Sequence, residues 1–291
     1  MDLNNQTKEV RLYSGEEVYC PYWEEGNPLL EIGLGCSWHR CKFCYFTNDG
    51  FSTFPLDEID AKAKMLVPYA EGKTRLFLLG QNSLVQPTEK LVAVSEIISN
   101  HMPQIEQIST YARIDDVLRK SDAELKLLRH YNICHVHLGI ESGDDEVLAF
   151  MDKGITAADI ELACEKLRNA DIKYSFNIIL GLGGQNRSEA HIRATADIIN
   201  RTRPQHIMIM DLQIWENTIL EGICREGGFA PLGMWEFIGE AGDLIDSLDS
   251  WDCGFAYTTL LNRYTLAGNL LDKNSLMQKF YEVLKAEGLV E

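Results

Sequence analysis

The sequence predicts an α/β fold, namely a six-stranded partial (β/α)6 TIM-like barrel with a C-terminal extension. Two observations predict it: six short apolar runs alternate with amphipathic segments, and a cysteine-rich loop follows the first run directly. Strands that alternate with helices connect by right-handed crossovers into a parallel sheet. In such barrels the active site lies at the carboxyl ends of the strands, where this loop would emerge.

The six predicted strands each have the length of a buried strand. They span residues 28–35, 75–79, 105–110, 134–140, 174–180 and 206–212. The amphipathic segments predict helices at 56–69, 87–100, 121–130, 156–169 and 188–201, with a closing helix at 274–286. Two of these helices begin with the spacing of a capping box, Ser121 with Glu124 and Thr156 with Asp159.

The chain divides into three predicted parts: an N-terminal arm at 1–26, the barrel at 27–212 and the extension at 213–291. Residues 213–252 carry nine acidic side chains and a single basic one, Arg225. Because the last strand delivers the chain to the rim of the barrel, we expect this segment to cover the active site and to set substrate choice. The acidic run equally fits a solvated face, and the sequence leaves that alternative open.

The charge of the chain bears on its partners. With 27 basic and 44 acidic residues among 291, the formal net charge is −17. An acidic chain repels phosphate, so we expect no nucleic-acid partner and prefer a small-molecule substrate to a peptide. No apolar run approaches the roughly 18 residues that span a bilayer, and the first residues lack a secretion signal. We therefore expect a cytoplasmic protein with no membrane partner.

Three of the eight cysteines lie together: Cys36, Cys41 and Cys44 have the spacing Cys-x4-Cys-x2-Cys. Three thiolates on one short loop suit a 4Fe-4S cluster, and because a fourth ligand is lacking, one iron stays open to a small molecule. A zinc site of the same thiolates with His39 is the alternative. Three scattered cysteines would hold a second cluster only if they converge, and these are Cys20, Cys224 and Cys253.

The cysteine loop resembles that of the radical S-adenosylmethionine (SAM) superfamily, whose usual signature is Cys-x3-Cys-x-aromatic-Cys. Phe43 occupies the aromatic position, whereas the first gap here is four residues. The fourth strand, with Glu141 and Lys153 twelve positions apart, resembles a segment of oxygen-independent coproporphyrinogen oxidase and of the Elongator catalytic subunit. The resemblance implies the same partial barrel, a 4Fe-4S cluster bound by the three cysteines, and SAM bound to its open iron.

The resemblance also implies where SAM binds. Glu141 would bind the ribose or amino group and Lys153 the carboxylate, while Asn177 lies near the ribose. Gly80 matches a strand end that holds the SAM amino group, and the glycine-rich run around Leu182 lies near the adenine. The remaining candidates for cofactor binding are Phe43, Tyr45, Gln81, Asn82, Tyr111 and Arg113. For Arg113, an ordinary surface arginine in a turn is the alternative.

The chemistry that the resemblance implies is reductive cleavage of SAM. A reduced cluster gives one electron to the sulfonium, and the resulting 5′-deoxyadenosyl radical abstracts hydrogen from the substrate. This reaction requires a one-electron donor such as flavodoxin or ferredoxin. The alternative is an iron–sulfur electron carrier or sensor without SAM turnover, which would not need polar residues at the strand ends.

Overall fold

A curved sheet with helices on its outer face forms the framework of the molecule. The computed structural model describes residues 10–15, 18–48 and 50–290, so residues 1–9, 16 and 17 of the predicted arm lie outside the described residues. The strands of the sheet are β1 (Leu29–Glu31), β2 (Arg75–Leu79), β3 (Gln107–Ala112), β4 (Ile133–Glu141), β5 (Lys173–Leu180), β6 (His206–Asp211), β7 (Gly254–Leu260) and β8 (Tyr264–Asn269). They lie side by side in this order, with β1 to β7 parallel and β8 antiparallel to β7.

Helices connect the parallel strands, and the last helix follows β8. They are α1 (Leu56–Leu66), α2 (Thr88–His101), α3 (Ile114–Arg119), α4 (Asp122–His130), α5 (Asp145–Phe150), α6 (Ala157–Asn169), α7 (Gly184–Thr202), α8 (Ile219–Arg225), α9 (Met234–Ser247) and α10 (Lys273–Ala286). Both predicted capping boxes are present, at the start of α4 and of α6. Each satisfies backbone N–H groups that the first helical turn leaves without a partner.

The two faces of the sheet differ in what they contact. On β4, Val136, Leu138 and Ile140 are fully buried and pack against the helices. Because side chains alternate along a strand, His135 and His137 face the lumen of the barrel. Apolar packing on the outer face therefore holds the helices, whereas the lumen can accommodate polar groups.

A buried carboxylate lies at the amino-terminal end of the lumen. Glu24, in the 3-10 turn Tyr22–Glu24, is fully buried and accepts hydrogen bonds from Nη2 of Arg75 at 2.6 Å and from Nε2 of His137 at 2.8 Å. Burial alone would raise the pKa of Glu24, but these hydrogen bonds outweigh it and lower the pKa to about 2. The carboxylate is therefore charged and paired within the barrel.

Four rings stack beside this carboxylate. Trp23 lies on His206 with centroids 4.4 Å apart, His206 lies 5.4 Å from His135, and His135 lies 4.8 Å from His137. Burial lowers the pKa of His206 to about 4. Since His135 and His206 belong to β4 and β6, their stacking across the intervening strand shows that the sheet curls around a lumen.

All six predicted strands are present, and the predicted fold class is confirmed. Two further strands, β7 and β8, extend the sheet from within the region that the sequence placed in the extension. Their residues mix Tyr, Thr and Asn with few branched aliphatic side chains, so they lack the continuous apolar run of a buried parallel strand. Among the described residues, no helix combines the length and the apolar character that a membrane crossing requires.

Candidate active site

The cysteine loop emerges from β1 at the carboxyl end of the sheet. An antiparallel pairing of Gly33–Leu34 with Ser52–Thr53 closes the base of the loop. Gly35 has a φ of +65°, and a Cβ there would lie 2.6 Å from the carbonyl oxygen of Gly50. Only glycine fits this close crossing of the two loop ends. The three cysteines therefore lie on a loop whose ends are fixed.

The thiols of this loop are close enough to affect one another's ionisation. Burial raises the pKa of Cys41 and raises that of Cys44 to about 12, and the neighbouring thiols add to both effects. Lys153 and Arg113 lower the pKa of Cys41, and Nη1 of Arg113 lies 3.8 Å from its sulfur. Three thiols beside two cations fit the thiolate ligands of an iron–sulfur cluster.

The arrangement of the same residues does not fit zinc. A structural zinc ion needs four ligands at about 2.0–2.3 Å from one point. No three His, Cys, Asp or Glu side chains in the described ranges converge in that way, including those of the cysteine loop with His39. A 4Fe-4S cluster binds each thiolate at a different iron, so its ligands need not converge on one point.

The other cysteines do not form a second site. Cys253 is fully buried at the amino end of β7, whereas Cys224 lies in α8 beside the carboxyl ends of the strands. Because these two cysteines lie at opposite ends of the sheet, they cannot both join Cys20 as ligands of one cluster.

Trp38 anchors the cysteine loop to the turn that follows α5. Its Nε1 donates a hydrogen bond to the carbonyl oxygen of Asp152 at 2.7 Å. A Cβ added at Gly154, where φ is +74°, would lie 2.2 Å from the Trp38 ring. The N–H of Lys42 donates to the carbonyl oxygen of Met151 at 3.0 Å. These contacts hold the loop against the turn that carries Lys153, the predicted ligand of the SAM carboxylate.

Residues after β2 hold the loop from the other side. Oδ1 of Asn82 accepts from the N–H of Ser37 at 3.2 Å, and its Nδ2 donates to Oγ of Ser37 at 2.8 Å and to Asp116 at 3.1 Å. Gly80 has a φ of +134°, and a Cβ there would collide with a neighbouring side chain. Oε1 of Gln81 is buried and has no partner within the described residues. Asn82 thus positions the loop, while Gln81 offers a free acceptor.

Arg113 follows β3 and is buried, unlike a surface arginine in a turn. Its Nη2 donates to the carbonyl oxygen of Lys153 at 2.7 Å and its Nε donates to Asp115 at 2.8 Å. The guanidinium also stacks on the Trp38 ring, 4.7 Å from the centroid. Its hydrogen bonds connect β3, the cysteine loop and the turn after α5, so its donors are occupied by the protein itself.

Glu141 and Lys153 form a buried ion pair at the end of β4, with Nζ 2.9 Å from Oε1. Burial alone would lower the pKa of Lys153, but the Glu141 carboxylate outweighs it and the pKa is raised. Glu141 has a φ of +64°, a conformation that costs energy for a residue other than glycine. Such strain is concentrated at functional sites.

Asn177 and Tyr111 line the lumen near this pair. Asn177 lies opposite Gly139 in the register of β4 with β5, and its Oδ1 is buried with no partner among the described residues. The ring of Tyr111 lies 5.0 Å from that of Phe77, and burial raises the pKa of its hydroxyl. The lumen therefore presents an unpaired acceptor and a protonated phenol toward the site.

The extension packs on the glycine-rich turn after β5. A Cβ at Gly181, where φ is +78°, would lie 2.5 Å from the ring of Phe237. Oε2 of Glu240 accepts the N–H of Gly181 at 2.6 Å, and burial raises the pKa of Glu240 to about 7. Close packing against α9 accounts for the glycine at this position.

An apolar cluster joins the cysteine loop to the extension. It contains Cys41, Phe43, Leu182, Leu220 and Phe229, all buried. The N–H of Leu220 also donates to the carbonyl oxygen of Lys42 at 2.9 Å. Tyr45 lies outside this cluster, exposed, with its ring 5.7 Å from that of Trp215. Phe43 and Leu182 thus come together, whereas Tyr45 points away from them.

Sequence reasoning missed three side chains that hold the site, namely Trp38, Asp116 and Glu240. Trp38 carried a usable signal, since a large aromatic side chain inside a metal-binding loop commonly packs against a neighbouring element. Asp116 accepts the N–H of Arg113 at 3.0 Å, and burial raises its pKa to about 6. Glu240 stands in an acidic run, where nothing distinguishes a buried acid from exposed ones.

The family model of the radical SAM superfamily matches residues 30–196. The chain belongs to the radical SAM superfamily. Enzymes of this superfamily use a 4Fe-4S cluster and SAM, which are therefore the cofactors of this radical SAM chain. Membership also decides between the alternatives left open by the sequence, because it identifies an enzyme and not an electron carrier or sensor.

Curated relatives include tRNA-2-methylthio-N(6)-dimethylallyladenosine synthases. The one from Syntrophus aciditrophicus (strain SB) is 27% identical over 191 residues, which cover 60% of this chain and 39% of the relative. The one from Aromatoleum aromaticum (strain DSM 19018 / LMG 30748 / EbN1) is 28% identical over 185 residues, covering 57% and 39%. The chain thus spans about two fifths of the length of the curated relatives that it matches.

Solved structures share the fold. The archaeal Methanocaldococcus infernus Elp3 with an N-terminal deletion superposes with a TM-score of 0.60 at 15% identity, over 91% of this chain and 64% of that one. Methylornithine synthase (PylB) gives a TM-score of 0.56 at 16% identity, over 76% and 63%. At these identities the likeness concerns the fold alone.

The expectation of a small-molecule substrate and no nucleic acid is wrong, because the relatives are named for the tRNA nucleoside that they make. Net charge is a sum over the chain and does not report the charge around one site. Between residues 32 and 48 the cysteine loop contains Arg40 and Lys42 and no acidic residue. The acidic residues that repel phosphate therefore lie elsewhere in the sequence.

Proposed function

We propose that this chain is a radical SAM enzyme that cleaves SAM reductively at the mouth of its barrel and acts on a nucleoside of tRNA. The observation that carries the proposal is that Arg113 joins the cysteine loop to the buried pair of Glu141 and Lys153. Its Nη1 lies 3.8 Å from the sulfur of Cys41, and its Nη2 donates to the carbonyl oxygen of Lys153 at 2.7 Å. When bound, the cluster and SAM would supply reductive cleavage of SAM and radical abstraction of a hydrogen atom from the substrate.

The residues of the chain have distinct roles in this proposal. Cys36, Cys41 and Cys44 hold the cluster. The ammonium of Lys153 binds the carboxylate of SAM, and Glu141 accepts from its amino group or ribose. Two buried acceptors without partners within the described residues suit further donors of the ligand, namely Oδ1 of Asn177 and Oε1 of Gln81. A ligand that donates to them would remove the cost of leaving these atoms unpaired.

The extension closes the site against water. Leu220 and Phe229 pack against Cys41 and Phe43 in one apolar cluster, so the cysteine loop has protein on its outer side. Glu240 fixes the turn after β5 through the N–H of Gly181. Excluding water protects a radical from side reactions and strengthens every charge interaction inside. We assign the choice of substrate to this covering segment, residues 213–252.

The tRNA substrate is supported by the curated relatives, whose match covers 60% of this chain for the relative from Syntrophus aciditrophicus (strain SB). Because the chain spans about two fifths of their length, their full activity does not transfer to it directly. The proposal is limited to hydrogen abstraction from a tRNA nucleoside.

The test begins with anaerobic reconstitution of the cluster, followed by dithionite, SAM and chromatography of 5′-deoxyadenosine. The native chain should form this product, and each of Cys36→Ala, Cys41→Ala and Cys44→Ala should form none. Cys134→Ala is the matched control, because Cys134 lies at the amino end of β4, far from the loop. A complete cluster in the triple alanine variant would contradict the assignment of the ligands.

The substrate is tested in the same preparation by adding unmodified tRNA and measuring nucleoside masses after digestion. A new nucleoside that depends on SAM and on the three cysteines supports the tRNA substrate. If 5′-deoxyadenosine forms but no nucleoside of the tRNA changes, the substrate part of the proposal is rejected and the SAM chemistry stands.

A further inference from the structure

Four aromatic rings from three separate segments of the chain meet beside the cysteine loop. Tyr19 precedes the barrel, Tyr45 and Phe46 directly follow Cys44, and Trp215 follows β6. The ring centroids of Tyr19 and Phe46 are 5.6 Å apart, those of Phe46 and Tyr45 are 6.1 Å apart, and those of Tyr45 and Trp215 are 5.7 Å apart. We call this set the aromatic platform.

The platform is open to solvent. Tyr19 is 56% exposed, Tyr45 49% and Trp215 47%. Large aromatic side chains on a protein surface normally bury their rings, and a contiguous exposed group of them marks an interaction site. Tyr45 is the next residue after a cluster ligand, so the platform lies on the outer side of the loop that carries the cluster cysteines.

From this arrangement we infer that the platform stacks unpaired nucleobases of an RNA loop and so presents the substrate nucleoside to the barrel mouth. The inference rests on the proposed function, because the relatives' tRNA substrate gives the class of polymer. Base stacking on exposed aromatic rings is the usual way in which proteins bind unpaired nucleotides, and it requires no base-specific hydrogen bond.

The loop that carries Tyr45 and Phe46 is basic, unlike the chain as a whole, since residues 32–48 include Arg40 and Lys42 and no acidic residue. The guanidinium of Arg40 is more than half exposed and pairs with Asp152, and Nζ of Lys42 lies 4.6 Å over the ring of Phe150. The carbonyl oxygen of Lys42 accepts the N–H of Leu220 in α8 at 2.9 Å, five residues after Trp215. Arg40 and Lys42 lie on the same loop, five and three positions before Tyr45, and the phosphates of a strand whose bases lie on the platform would approach them.

The test measures binding without any need for turnover. Fluorescence anisotropy with the reconstituted full chain compares a labelled RNA hairpin that has an unpaired loop with a blunt RNA duplex of equal length. Trp215→Ala and Tyr19→Ala should each weaken binding of the hairpin by about 5- to 150-fold, the usual effect of losing one stacked base, and should change binding of the duplex little. Trp215→Tyr, which keeps a stacking ring, should restore most of the affinity.

Tyr281→Ala is the matched control. Tyr281 is 54% exposed and lies in α10, outside the covering segment 213–252, so its removal should leave hairpin binding unchanged. Equal hairpin affinity in the native chain and in both platform variants would overturn the inference. An equal loss of affinity for hairpin and duplex would also overturn it, because a blunt duplex has no unpaired bases that could stack on the platform.

A protein partner gives a different result. If the platform instead docks a reduced flavodoxin, Trp215→Ala and Tyr19→Ala would slow 5′-deoxyadenosine formation driven by flavodoxin but not by dithionite, with hairpin affinity unchanged, and the inference would be overturned. Failure of the proposed function is a separate outcome: the native chain then forms no 5′-deoxyadenosine with dithionite, whatever the binding data show. If both variants modify tRNA with the native kcat/KM, the function stands and the platform is rejected.

Discussion

Replacing Gly154 by alanine should displace the loop that carries the three cluster cysteines. Gly154 has a φ of +74°, and a Cβ there would lie 2.2 Å from the ring of Trp38, which stands between Cys36 and Cys41. The clash forces the ring to move. That movement also breaks the hydrogen bond from its Nε1 to the carbonyl oxygen of Asp152 in the same turn. Moving Trp38 moves the loop between two of the cluster ligands.

The magnitude has two parts that the chain lets us separate. A left-handed backbone costs a residue with a Cβ about 1–2 kcal/mol. Forcing an extra methyl group into a packed contact costs typically about 1–3 kcal/mol more. Gly72 has a similar φ of +69° with nothing within 4 Å of its Cβ position, so Gly72→Ala carries the first cost alone. We expect Gly154→Ala to lose about 2–5 kcal/mol of unfolding free energy, and Gly72→Ala only about 1–2 kcal/mol.

Urea unfolding of the apoprotein measures both losses, and iron and sulfide content after anaerobic reconstitution measures the cluster. Gly154→Ala should take up much less iron than Gly72→Ala. Adding Trp38→Ala to Gly154→Ala should remove the clash, so the second substitution should cost less in that background than in the native chain. Equal stability and equal iron content of the two glycine variants would show that Trp38 does not position the loop.

Two further predictions concern buried charges. Lys153→Met should leave iron content unchanged and raise the SAM dissociation constant by about 5- to 150-fold, because one charge-assisted partner is lost. Anaerobic calorimetry measures this constant. Lys120→Met is the control, because Lys120 is a buried lysine that donates to the carbonyl oxygen of Gln86. Unchanged SAM affinity in Lys153→Met would remove Lys153 from the site. Glu240 has its pKa raised from 4.5 to about 7 by burial, so the folded state binds its proton more tightly than the unfolded state does. The stabilisation of the folded state by this proton is fully present below pH 4.5 and is lost as pH rises through 7, by up to about 3 kcal/mol. Glu240→Gln should therefore flatten the pH dependence of urea unfolding between pH 5 and 7.5, and an unchanged slope would contradict the assignment.

The parts of this molecule that the sequence predicts are those set by local pattern. Apolar runs of strand length, the boxes at Ser121 and Thr156, and the cysteine spacing each depend on neighbours within a few residues, so they are visible without the fold. The strands β7 and β8 escaped because Tyr, Thr and Asn interrupt any continuous apolar run in them, and they gain their burial from β6 and α10 in the folded chain.

The supports of the site depend on contacts between distant segments. Asp152 receives the hydrogen bond of Trp38 across 114 positions, and Glu240 reaches Gly181 across 59. No pattern within a short window marks either partner. The same limit explains the error about nucleic acid, since a total charge of −17 contains no information on which surface the acidic residues occupy.

The buried carboxylate of Glu24 has a consequence for the order in which the chain can fold during its synthesis. Its partner His137 is synthesised 113 residues later. His206, whose ring stacks on Trp23, is synthesised later still. Until β4 and β6 have been made, the lumen is not closed. Glu24 is then neither buried nor paired with Arg75 inside the barrel. We therefore expect the nascent barrel to stay open and hydrated through most of translation and to seal its polar interior in one late step, since such long-range contacts form slowly.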